Sequence, residues 1–151
     1  KYNDEEARRL ASIKNSKGFT PLHEAAIWSS AELLKVLVSS GLFDVNETDN
    51  EGNSPLVGAG SRKLVGTIVR TGDVLEHARI LLGAGADPNS KDAQGNTPLH
   101  RTDCSKEYLE LLLAQPSVDL TVRNSSGYTS LITHALVTLP IFIFHSISFK
   151  R

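Results

Sequence analysis

Apolar positions in this chain gather into short blocks at helical spacing, separated by polar, turn-forming runs. Leu33, Leu34 and Leu37 make one stripe, and Val74, Leu75, Ala78, Leu81 and Leu82 a second. Tyr108, Leu109, Leu112 and Leu113 make a third. Recurrence at three and four residues is what one face of an α-helix requires. Start signals precede each stripe. Ser29 and Asp73 stand three residues before Glu32 and Glu76, the spacing of a capping box, and Ser105 leads the third block. Behind the stripes lie DVNETDNEG, DPNSKDAQG and DLTVRNSSG, whose aspartate, asparagine and glycine favour turns.

Ahead of each stripe stands a second, shorter block, and it repeats nearly letter for letter. KGFTPLHEAA and QGNTPLHRTD share Thr-Pro-Leu-His, and blurred copies read GNSPLVGAG and GYTSLITHA. The opening glycines, Gly18, Gly52, Gly95 and Gly127, are spaced by 34, 43 and 32 residues, a period that points to a solenoid. Each letter has a physical task. The glycines suit a left-handed turn. Thr20, Ser54, Thr97 and Thr129 stand where a hydroxyl caps free helix amides. Pro21, Pro55 and Pro98 follow at the first helical position, where a missing N–H costs nothing. Leu22, Leu56, Leu99 and Leu131 are expected to point inward. The predicted unit is helix, helix, projecting turn.

These residues resemble ankyrin repeats, whose hallmark is T-P-L-H-x-A in a unit of about 33 residues. His23 to Ala25 match H-x-A in full, and GADPN (Gly85 to Asn89) is similar to the family's G-A-D-V-N. The resemblance runs from Asn15 to Ala135. It implies an all-α fold, a solenoid of stacked helix-turn-helix units with β-turn fingers projecting from an L-shaped stack. It also implies protein binding rather than catalysis, and an architectural role for His23 and His100 in hydrogen bonds between neighbouring turns. On this division, residues 1–14 are an N-terminal capping helix or the end of a preceding repeat. Residues 15–48, 49–91 and 92–123 are three repeats, and 124–151 are a degenerate or truncated fourth with an apolar tail.

Departures from the pattern can be placed. Leu22 reaches Ser29 in seven residues, but Leu56 reaches Asp73 in seventeen, so ten extra residues lie in the second repeat, near 59–70. A tolerated surface insertion is the plainer reading, a binding loop built on Arg62, Lys63 and Arg70 the sharper one. Gly58 to Lys63 lacks the G-K-[ST] ending of a phosphate cradle and is set aside. The third repeat is one residue short at the same joint, which ends its first helix before Cys104. No charged residue occurs from Leu131 to Phe149, so this stretch is either a buried final repeat or, against His134, Pro140 and His145, the start of a membrane span. The chain has no methionine and begins at Lys1, as a segment of a larger protein would.

Charge and chemistry narrow the function. Sixteen basic residues against seventeen acidic ones leave no basic surplus for nucleic acid. Cys104 is the single cysteine, which excludes an intrachain disulfide and fits a cytoplasmic or nuclear setting. His100 and Cys104 are half of a zinc site with no other half in the sequence. No nucleophilic set is recognisable, so no enzyme, cofactor or metal is expected.

The family resemblance implies recognition through the concave face, by the fingers and the ends of the first helices. The position between turn glycine and hydroxyl is expected to be exposed there: Phe19, Asn53, Asn96 and Tyr128. So are Ile27 and Trp28 after H-x-A-A, and the finger tips Lys17, Glu51, Gln94 and Ser126. Trp28 is either an exposed aromatic anchor or a core residue under the insertion. The resulting expectation is a monomeric scaffold or adaptor segment that binds a protein partner. The alternatives are a juxtamembrane segment and the regulatory portion of an enzyme.

Overall fold

Four turns of one construction organise the chain, and short helices fill the intervals between them. The computed structural model describes residues 4–60, 71–101 and 105–135. The ten-residue insertion, Cys104 and the apolar tail beyond 135 lie largely or wholly outside the described residues.

Helix α1 (Asp4–Ala11) is followed by the pair α2 (Pro21–Trp28) and α3 (Ala31–Ser39). A second pair follows, α4 (Pro55–Gly60) and α5 (Thr71–Gly83). A 3-10 turn (Pro98–His100) and α6 (Lys106–Leu113) form the third, and a last helical stretch covers 130–135. Among the described residues there is no strand, only an isolated bridge between Arg123 and Thr129. The fold is all-α, a stack of helix pairs.

Packing follows the repeat. α2 lies on α3 and α4, α4 on α5, and α5 on both α3 and α6. One continuous core results, built from Leu22, Leu34, Leu56, Ala78, Leu81 and Leu112, with Tyr108 fully enclosed among them. Tyr108 is placed by two features. Its hydroxyl donates to the Leu56 carbonyl at 2.9 Å. Its ring rests on Gly60, where a Cβ would lie 2.5 Å from Cζ.

The helix starts obey capping chemistry, with shifts from the expected residues. Thr20 accepts the His23 N–H, and Ser105 accepts the Tyr108 N–H at 3.2 Å. The cap of α3 is Ser30, not Ser29. The Ser29 N–H still bonds to the Ala25 carbonyl at 3.2 Å and so closes α2, while the extended backbone of Ser30 sets its hydroxyl over the Leu33 N–H. Asp73 is not the cap of α5 either. It already has helical backbone within the described part of that helix, and a cap must have non-helical backbone. The Ser54 hydroxyl meets that of Ser90 at 3.0 Å, a tie between the two ends of one repeat.

Other expectations are corrected by packing. Leu131 does not point inward and is 68% exposed. It sits on the last described helical stretch, with no described element beyond it to do for it what α4 does for α2. Leu33 and Leu113 are also exposed, because contact with the neighbouring helices takes only the Leu34 and Leu112 edges of their stripes. The third motif block forms only the 3-10 turn. The Arg101 N–H bonds to the Pro98 carbonyl at 3.2 Å and its backbone is extended, which stops helix growth.

Candidate functional site

Each finger is built by an acid or amide three residues before its glycine. Asn15, Asp49, Asp92 and Asn124 each bend the chain by accepting two backbone amides on one side-chain oxygen. Asp49 Oδ1, for example, takes the N–H groups of Glu51 and Asn53, both at 2.8 Å. Gly52 then adopts φ +79°, and a Cβ there would lie 2.8 Å from the Ala93 nitrogen. That closeness is functional to the stack, because fingers join through main-chain bonds. The N–H groups of Asn50, Ala93 and Ser125 donate to the carbonyls of Lys17, Glu51 and Gln94 at 3.1, 2.8 and 2.9 Å.

The motif histidines couple fingers to helices. His23 Nδ1 receives the Thr20 N–H at 3.2 Å and is therefore the unprotonated nitrogen. Nε2 carries the proton and donates to the Asn53 carbonyl at 3.0 Å, one repeat away. His100 repeats the arrangement with Thr97 and the Tyr128 carbonyl. Burial holds the His23 ring below its ordinary pKa, opposed chiefly by the bond to Asn53. Both nitrogens of each ring are engaged within the architecture. Among the described residues no three His, Cys, Asp or Glu side chains converge on a metal-sized site.

Two of the expected exposed positions are buried. Asn53 is 2% exposed because its amide serves as a link: Nδ2 donates to the Asp49 carboxylate at 2.9 Å, and Oδ1 accepts Arg101 Nη2 at 2.7 Å. Arg101 also lies 3.9 Å from Asp92, whose carboxylate accepts Asn96 Nδ2 at 3.1 Å. Asn96 in turn accepts from Asn124 at 3.0 Å and is only half-exposed. A polar ladder thus runs along the fingers. Ile27 is 5% exposed because it fills the space that the side-chain-free Gly58 of α4 leaves, 3.1 Å from where a Cβ would sit.

Five of the ten expected surface residues come together. Lys17, Phe19, Ile27, Trp28 and Glu51 line one groove of about 550 Å³, in the angle between α2 and the first two fingers. Trp28 is 52% exposed there, so the core reading of this residue does not hold. Phe19 is half-buried and stacks on the His23 ring, centroids 5.7 Å apart and planes 6° apart. Gln94, Ser126 and Tyr128 are exposed on the later fingers, outside this groove. Sequence reasoning missed Arg101 and the four finger-bending residues. The latter had a signal, [DN]-x-x-G before each hydroxyl, present in all four copies.

No helix among the described residues is long and apolar enough to cross a membrane. The span considered for Leu131 to Phe149 lies mostly outside them.

Comparison with known proteins agrees with this geometry. The family model for the ankyrin repeat matches residues 17–50. The chain is 32% identical to an E3 ubiquitin-protein ligase, KEG, of Arabidopsis thaliana, over 82% of this chain and 9% of the ligase. It is 35% identical to ankyrin repeat domain-containing protein 53 of Mus musculus, over 64% of this chain and 18% of that protein. A human transient receptor potential cation channel, subfamily A member 1, is 29% identical over 74% of this chain and 9% of the channel. The chain therefore spans less than a fifth of these relatives' length. With the matched repeat, the recurring finger and the stacked helix pairs, this chain belongs to the ankyrin-repeat family.

Proposed function

We propose that this chain is a non-catalytic protein-interaction module, a scaffold or adaptor segment of a larger cytoplasmic or nuclear protein. It acts as a monomer and binds its partner through the fingers and the exposed face of the first helices. The repeats run 15–48, 49–91, 92–123 and from 124 onward, with residues 1–14 as an N-terminal capping helix or the end of a preceding repeat. One observation carries this reading. An exposed tryptophan and an aromatic platform stand in a groove on that face, beside fingers that are hydrogen-bonded to one another.

A photo-crosslinking side chain tests it. Placed at Glu51 or Gln94, on the fingers, it captures the partner. Placed at Val36, exposed on α3, it does not. Equal capture from both sides refutes the proposal.

A second reading comes from the relatives. A ubiquitin ligase and a cation channel each contain a segment similar to this chain in a tenth of their length. The module then serves as the regulatory or juxtamembrane part of a protein whose activity resides elsewhere. Partner capture that changes with the rest of the protein attached distinguishes the two.

A further inference from the structure

The groove between α2 and the first two fingers has a charge of its own. Among the described residues, Glu24, Asp49 and Glu51 line it against one cation, Lys17, although the chain as a whole is nearly neutral. Asp49 is committed to Asn53 and the finger amides. Glu24 and Glu51 are exposed, and among the described residues neither is in an ion pair. Glu24 and Trp28 stand four residues apart on α2, so they are neighbours on one helix face. An indole face beside a carboxylate, with a second carboxylate across the groove, matches a planar cation.

We infer that this groove takes an arginine side chain from an extended segment of a partner protein. The guanidinium stacks on Trp28 and is held by Glu24 and Glu51. The inference rests on the interaction reading above and adds the ligand's chemistry to it. Arginine suits the site better than lysine because its planar, weakly hydrated fork can stack on an aromatic face and donate to two carboxylates together. Purely apolar segments leave Glu24 and Glu51 desolvated without partners, and acidic ones are repelled.

The test uses the intact chain and a displayed library of random octapeptides, followed by synthetic copies of those enriched. Trp28 is the only tryptophan, so its emission reports occupancy directly. The expected result is enrichment of arginine at a shared position, with binding that weakens as salt rises. Citrulline in place of that arginine, a neutral copy of its shape, should abolish binding. Glu24→Gln keeps the oxygen that accepts Asn15 Nδ2 at 2.8 Å but removes the charge, and should weaken binding about tenfold at unchanged melting temperature. Trp28→Ala, which removes the reporter and is therefore read by calorimetry, should cost about tenfold or more.

Enriched peptides that lack arginine, yet capture the crosslinker at Glu51, overturn this inference and leave the interaction reading standing. Citrulline peptides that bind equally well overturn it too. No enriched peptide together with no finger-side capture of any partner overturns both.

Discussion

Gly60→Ala sets two physical effects against each other with opposite signs. By intrinsic propensity, alanine in a helix is favoured over glycine by about 1 kcal/mol. Packing argues the reverse. The new Cβ would lie 2.5 Å from Tyr108 Cζ and 2.6 Å from its hydroxyl oxygen. This ring cannot swing aside, being fully enclosed and tied to the Leu56 carbonyl. Overpacking of this kind costs about 1–3 kcal/mol, and displacing the ring loses a hydrogen bond of about 1 kcal/mol. The net expectation is destabilisation by about 2 kcal/mol, a fall in melting temperature of about 4–8 °C for a chain of this size. Urea and thermal denaturation followed by circular dichroism read it directly. Tyr108→Phe alone should cost about 1 kcal/mol, and clearly less in the Gly60→Ala background, because there the hydroxyl bond is already broken. A Gly60→Ala protein more stable than the parent refutes the placement of Tyr108 on α4.

Three further outcomes are expected. His23 is held neutral with a lowered pKa, so the unfolded chain takes up its proton first; stability from this group is complete above about pH 6.5 and is lost as pH falls through the lowered folded value. Urea midpoints measured from pH 8 to pH 5 should fall more steeply in the parent than in His23→Gln, and parallel curves would refute it. Asn53→Ala, at a position that varies between the copies, should cost about 1–3 kcal/mol, since it leaves Arg101 and Asp49 short of partners; a change under about 0.5 kcal/mol in urea denaturation contradicts the polar ladder. Ser30→Ala should cost about 1 kcal/mol by losing the α3 cap while Ser29→Ala costs less, and thermal melts showing the reverse order would restore Ser29 as the cap.

What was legible in the sequence divides along a physical line. Finger, cap and helix start depend on a few consecutive residues, so Gly18, Thr20, Pro21 and His23 and their copies could be read from their own neighbourhoods. Burial at the variable positions depends on partners far along the chain. Asn53 is covered because Arg101, 48 residues away, reaches it, and Ile27 because α4 carries a glycine opposite. Neither distance has a local mark. Leu33, Leu113 and Leu131 mislead for a related reason: an apolar letter at helical spacing shows which face is greasy, not whether a neighbour covers it. The capping error is of another kind. Ser29 and Ser30 are adjacent, and only the last turn of α2 decides between them.

The finger-to-finger bonds also set how the stack would respond to pulling. Among the described residues, the links from Asn50 to Lys17, Ala93 to Glu51 and Ser125 to Gln94 follow one another from unit to unit. Tension applied between the first and last fingers is shared at each joint by this main-chain link and by the helix packing beside it, α2 on α4 and α3 on α5. Because that packing belongs to one continuous core, opening a joint exposes apolar surface as well as breaking a hydrogen bond, and the stack resists pulling as a unit rather than link by link.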